Sequence, residues 1–236
     1  MAGHRRQLPF DFAHDPDYGA DAYIEAPCNR AAFAWIARWP DWTGRGLAVH
    51  GPAGCGKTHL ASIWQARAAA AALSPAELSP DRVPALLGGA RAALIDAADA
   101  PALDADGERA LMHLYNLLAE RDGHLLVLAR TAPARWPIAL ADLRSRLAAL
   151  PAVRIDAPDD ELLQRLLVKL FADRQLEAAP EAVSWLLPRM PRSFAAARKL
   201  AAELDRRALA GGRRITAALA REALVELPAP DEGEEN

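Results

Sequence analysis

"HGPAGCGKTHLA", His50 to Ala61, is the stretch that decides the fold. Gly51, Pro52, Ala53, Gly54, Cys55, Gly56, Lys57 and Thr58 fit G-x-x-x-x-G-K-[ST] without a gap. Glycines let successive backbone N–H groups turn inward around phosphate oxygens. A lysine at this spacing neutralises the β and γ charges, and the Thr58 hydroxyl suits Mg²⁺. Upstream, Gly46 to His50 reads as a short buried strand. Downstream, Lys57 to about Ala72 is alanine-rich and helix-prone, so the helix N-terminus would face the phosphates. A chance glycine turn is the alternative, but a strand before and a helix after argue against it. The expected ligand is ADP or ATP with Mg²⁺, lined by Gly51, Pro52, Gly54, Cys55, Gly56, Lys57, Thr58 and His59.

Outward from the loop, apolar runs alternate with helical segments. "AALIDA" at 92–97, a helix from about Gly107 to Glu120, "HLLVLAR" at 124–130, a short helix near Ala139 to Leu147, and "AVRI" at 152–155 follow in order. Such alternation predicts a parallel α/β sheet. Between the loop helix and this series, "LSPAELSPDRVPALLGGA" reads as a connection with at most one short edge strand. From Pro158 strands are expected to stop. "PDDELLQRLLVKLFADRQL", "PEAVSWLLPRM", "RSFAAARKLAAELDRRALA" and "ITAALAREALVEL" read as amphipathic helices. The expected division is an extended tail at 1–27, a nucleotide domain at 28–157 with a first helix near Asn29 to Trp39, an all-helical lid at 158–227, and an acidic end at 228–236.

Composition narrows the class. The 236 residues are 52% hydrophobic with net charge −3, enough to fill a core and poorly suited to a wholly nucleic-acid-facing surface. Protein partners are therefore expected. Two cysteines, Cys28 and Cys55, make no disulfide framework, and no Cys/His spacing suggests zinc. No run approaches a membrane span and the N-terminus lacks a signal-peptide core, so a cytoplasmic protein is expected.

Four further features can carry chemistry. Asp96 closes an apolar strand downstream of the loop, where a carboxylate reaches Mg²⁺ through water, so Thr58 and Asp96 are the metal-side candidates. The next residue is Ala97, where a second acid would orient attacking water; Asp99 lies three residues off register. "DLRSRL", from Asp142, sets Arg144 and Arg146 on a short helix; either an arginine acting across a subunit interface or a solvated helix end fits. In "RMPRSFAAARKL", Arg192 and Arg198 are candidates to fold back onto a nucleotide's phosphates: Arg192, in a helix's first turn, fits that role or an ordinary surface arginine, while Arg198 reads more readily as surface. "RQLPFDF" spaces Leu8, Phe10 and Phe12 alternately in the tail, for a partner's pocket or for stapling back.

Together these residues resemble the AAA+ ATPase family and, within it, the branch of the replication initiator DnaA and its shortened regulatory inactivators, most of all their α-proteobacterial form. The likeness runs from "RQLPFDF" through "NRAAFAWIARWPDW", "HLYNLLAERDGHLLVLAR" and "DLRSRL" to "REALVEL"; "HLYN", "DLRSRL" and the lid phrases are particular to this branch. It implies that Gln7, Leu8, Pro9, Phe10 and Phe12 dock on the DNA polymerase sliding clamp, bringing DNA near indirectly, and that Arg146 reaches ATP held by DnaA. It implies no origin recognition, since no helix-turn-helix follows the lid, and leaves self-association open. Ala97, Arg130 at the sheet's polar sensor position and Ala195 at the lid's sensor-arginine position depart from the family. Nucleotide binding with little hydrolysis of its own is the resulting expectation; an independent motor or loader acting on DNA or a helicase is the alternative.

Overall fold

The structure, a computed structural model, describes residues 23–96, 103–211 and 214–225. Among the described residues five strands, β1 (Gly46–His50), β2 (Ala71–Leu73), β3 (Ala92–Asp96), β4 (His124–Ala129) and β5 (Ala152–Arg154), form one parallel sheet ordered β2-β3-β4-β1-β5. The three central strands are nearly unbroken apolar runs because both faces are covered. Alternation along β4 sorts the layers. Leu126 and Leu128 pack with α1 (Arg30–Ala37) and α2 (Lys57–Ala68). Leu125 and Val127 pack with α3 (Val83–Leu87), α4 (Ala105–Glu120) and α5 (Ala141–Ala148). The α1 side is rich in tryptophan: Trp42 stacks on the fully buried Trp64 at 5.5 Å, and Trp39 meets the same ring edge-on.

A third apolar cluster is built by α6 (Asp160–Asp173), α7 (Pro180–Leu186), α8 (Phe194–Gly211) and α9 (Ala217–Val225). Asp104 and Asp159 cap α4 and α6, each accepting a backbone N–H, from Gly107 at 2.7 Å and Leu162 at 2.8 Å. Such caps contribute about 1 kcal/mol each.

Three expectations need correction. The loop helix stops at Ala68, because Ala69 adopts φ 47° and turns the chain into β2, the sheet's edge strand. Strands do not stop at residue 158: β6 (Glu177–Ala178) pairs in parallel with β7 (Arg214–Ile215), a two-residue ribbon too short to show a period of two in the sequence. The stretch before residue 28 is packed rather than extended from residue 23 onward. Buried Asn29 accepts the Ala26 N–H and donates to the Ile24 carbonyl, and Tyr23 stacks on Phe33.

Candidate functional site

β1 ends at His50 and the chain turns at Gly51, whose N–H donates to the Ala129 carbonyl at the end of β4. A Cβ at Gly51 would lie 2.1 Å from the Ile155 carbonyl, so only glycine fits. Gly56, at φ 98°, precedes α2, whose N-terminus has no side-chain cap and so keeps amide donors for an anion. Lys57 is buried, with Nζ donating to the Gly51 and Pro52 carbonyls, both at 2.8 Å, and lying 3.8 Å from Cys55 Sγ. The ammonium is therefore held inside the concave side of the loop. Burial pushes the Cys55 thiol up, against the pull of Lys57, so this sulfur stays protonated and inert near neutral pH.

Thr58 Oγ1, in the first turn of α2, donates to Asp96 Oδ2 at the carboxyl end of β3 at 3.1 Å. A hydroxyl and a carboxylate oxygen make a hard donor pair that fits Mg²⁺ carried by a nucleotide, with remaining positions filled by water and phosphate. Ala97 and Asp99 fall outside the described residues, as do Gln7, Leu8, Pro9, Phe10 and Phe12.

The helices beyond the sheet close on the loop. The Phe194 N–H donates to the Gly54 carbonyl at 2.8 Å. Gly54 is at φ 69°, and a Cβ there would come within 2.8 Å of Ser193 Cβ and 3.3 Å of Ala195 Cβ. Ser193 Oγ accepts the Ala196 N–H and so starts α8 at the loop. Two arginines differ from expectation. Because α8 begins at Phe194, Arg192 precedes its first turn, and it pairs with Asp160 of α6 at 3.0 Å. Arg198 is half-buried rather than on the surface, one turn beyond Ala195, with Nη2 3.4 Å from His59 Nδ1 on α2. His59 is buried and meets the Tyr23 ring edge-on at 5.3 Å. Tyr23 thus joins the surroundings of the loop helix through His59 with no local motif that announces it, and Arg198, the less favoured of the two candidate arginines, is the one that reaches α2.

Arg146 lies in the opposite layer. On α5 it donates from Nη1 to Asn116 Oδ1 at 2.8 Å and from Nε to Asp142 Oδ1 at 3.2 Å, with its guanidinium 5.4 Å from the Tyr115 ring centre. "HLYN" and "DLRSRL", thirty residues apart at this contact, therefore meet on one face. Arg144 instead turns back, donating to the Ile138 carbonyl at 3.0 Å.

No protein-family model and no curated protein matches the sequence. Solved structures do. Domain III of the Thermotoga maritima replication initiation protein DnaA has a TM-score of 0.77 at 18% identity, over 92% of this chain and 99% of that one. The initiator DnaA bound to AMPPCP and single-stranded DNA has a TM-score of 0.65 at 16% identity, over 88% and 68%. The fold is that of the AAA+ ATPases. A mutant of Thermotoga maritima RuvB shares it, with a TM-score of 0.62 at 18% identity over 89% and 71%. Among the described residues no helix is long and apolar enough to cross a membrane.

Proposed function

We propose that this chain is a nucleotide-bound regulator of replication initiation of the Hda type. In this reading it holds ADP or ATP with Mg²⁺, docks on the DNA polymerase sliding clamp through residues 7–12, and promotes hydrolysis of ATP bound to the initiator DnaA. The observation that carries the reading is the arrangement around Arg146. It sits in the sheet layer opposite the chain's own phosphate loop helix, oriented by Asn116, Asp142 and Tyr115, with its side chain about one-third exposed at 35%. An arginine so held is suited to a neighbouring molecule's phosphates.

The chain's own residues support the same division of labour. When bound, the nucleotide would supply the phosphates that Lys57 neutralises, and its Mg²⁺ would be steered by Thr58 and Asp96. Position 97 is alanine, which has no group to orient water, and position 195, against Gly54, is another alanine with no charge to offer a γ-phosphate. Hydrolysis would then belong to the interface, where Arg146 shares the charge of the separating phosphoryl oxygens. Mixing DnaA loaded with ATP, clamp-loaded DNA and this protein should convert the bound ATP to ADP, and leaving out the clamp should stop conversion. No conversion in the full mixture overturns the reading.

A further inference from the structure

Among the described residues Glu108 is the one buried acid, 4% exposed, and the nucleotide site makes no use of it. It lies in the first turn of α4, where the helix dipole favours its negative charge. One carboxylate oxygen accepts the Ala139 N–H at 2.8 Å and the other the Leu140 N–H at 2.7 Å. Those two residues immediately precede α5, whose first residue is Ala141 and whose N-cap, Leu140, has no side-chain cap of its own. The same connection is gripped from its other end by Arg144, which donates to the Ile138 carbonyl, while Ile138 is buried with Leu143 and Leu147.

α4 thus holds α5 twice. Glu108 fixes the start of α5, and eight residues on, Asn116 fixes its last turn through Arg146. Both contacts run in the same order along the two helices, so the carboxylate sets the register and tilt at which Arg146 is presented. Two oxygens on two successive N–H groups constrain direction as well as distance, which a single apolar contact cannot do.

We infer that Glu108 is a positioning residue for Arg146: a buried carboxylate clamp that fixes the α5 backbone and so the guanidinium presented to a partner's phosphates. This rests on the role proposed above for Arg146. Glu108→Gln is the test, because the amide keeps the volume but sets an NH₂ against one of the two donated N–H groups.

Two readouts keep clamp and function apart. In the isolated protein, the Arg146 Nε–Hε signal in ¹⁵N NMR, assigned by its loss in Arg146→Lys, should exchange with solvent roughly tenfold or more faster in Glu108→Gln. With DnaA and clamp-loaded DNA, the maximal rate of ATP conversion should fall roughly 10- to 100-fold, the scale of a misplacement of about 1 Å. The protein concentration giving half-maximal conversion should stay unchanged. Adding Glu108→Gln to Arg146→Ala should cause no further loss. Unchanged exchange together with an unchanged maximal rate overturns the inference, and so does a shift in the half-maximal concentration alone. If Arg146→Ala itself leaves conversion intact, the proposed function falls and the exchange measurement alone decides the clamp. If Glu108→Gln does not fold, Glu108→Asp, which keeps the charge one methylene short, is read against the same outcomes.

Discussion

Lys57 contributes through where its ammonium is held. It is buried and donates to two loop carbonyls, so the positive charge is already fixed within the curve of Gly51 to Gly56 before any phosphate is considered. Lys57→Ala should weaken ADP and ATP binding by two orders of magnitude or so, about 2.7 kcal/mol, the scale of a lost charge-assisted contact. Titration calorimetry that finds equal affinity in the variant would remove Lys57 from the site. At this scale the loop was legible in the sequence because its chemistry is local: glycines, lysine and threonine must stand at fixed spacing for one turn to cradle phosphate. Arg198 and Glu108 were not legible for the converse reason. Their partners are 139 and 31 to 32 residues away, and nothing in "FAAARKL" or "GERAL" distinguishes an arginine reaching His59 or a glutamate clamping α5 from ordinary surface charge.

Helices and strands were legible where burial imposes a period. β1, β3 and β4 are apolar except for one end residue each, His50, Asp96 and His124, and α6 keeps a clear amphipathic stripe, so both kinds of element stood out. The end of α2 did not, because alanine favours helix and the alanine run carries the helical reading past Ala69, whereas tertiary pairing with β3 draws residues 71–73 into the sheet. The tryptophan cluster behind β4 carries a consequence for pH. Burial, then the charge of Arg45, holds the His124 imidazole below its ordinary value near 6.5, where it packs edge-on against Trp39 and Trp42. The folded state therefore favours neutral His124. As pH falls below about 6.5 the unfolded chain takes up a proton that the folded chain resists, so stability contributed by this group is full above that pH and declines through the lowered folded value. Urea denaturation between pH 7.5 and pH 5, chosen as about the span of this titration, should show a smaller loss of stability in His124→Gln than in the unaltered protein. An identical loss in both would mean that His124 titrates alike folded and unfolded.

Over the whole molecule, the sequence pattern was sufficient for the AAA+ layering, since a strand, a phosphate loop and a helix followed by alternating elements admit few arrangements. It was not sufficient to show how α8 closes on Gly54, because that contact is made by backbone and by small side chains, Ser193 and Ala195, that carry no pattern. The proposed regulator must also reach two partners at once. Its clamp-docking segment lies outside the described residues, and there Leu8→Ala with Phe10→Ala should cost about 2 kcal/mol or more of clamp affinity in a surface-binding assay, the size expected of anchor side chains. Unchanged affinity would move docking elsewhere on the molecule. The central claim, that chemistry happens on the partner's nucleotide under Arg146, is tested most directly by following ATP bound to DnaA through a single turnover, with clamp-loaded DNA and either the unaltered protein or Arg146→Ala. The unaltered protein should convert the ATP to ADP, and Arg146→Ala, still folded and still binding ADP and clamp, should slow conversion by roughly 10³-fold or more. Conversion by Arg146→Ala at the unaltered rate would contradict the account.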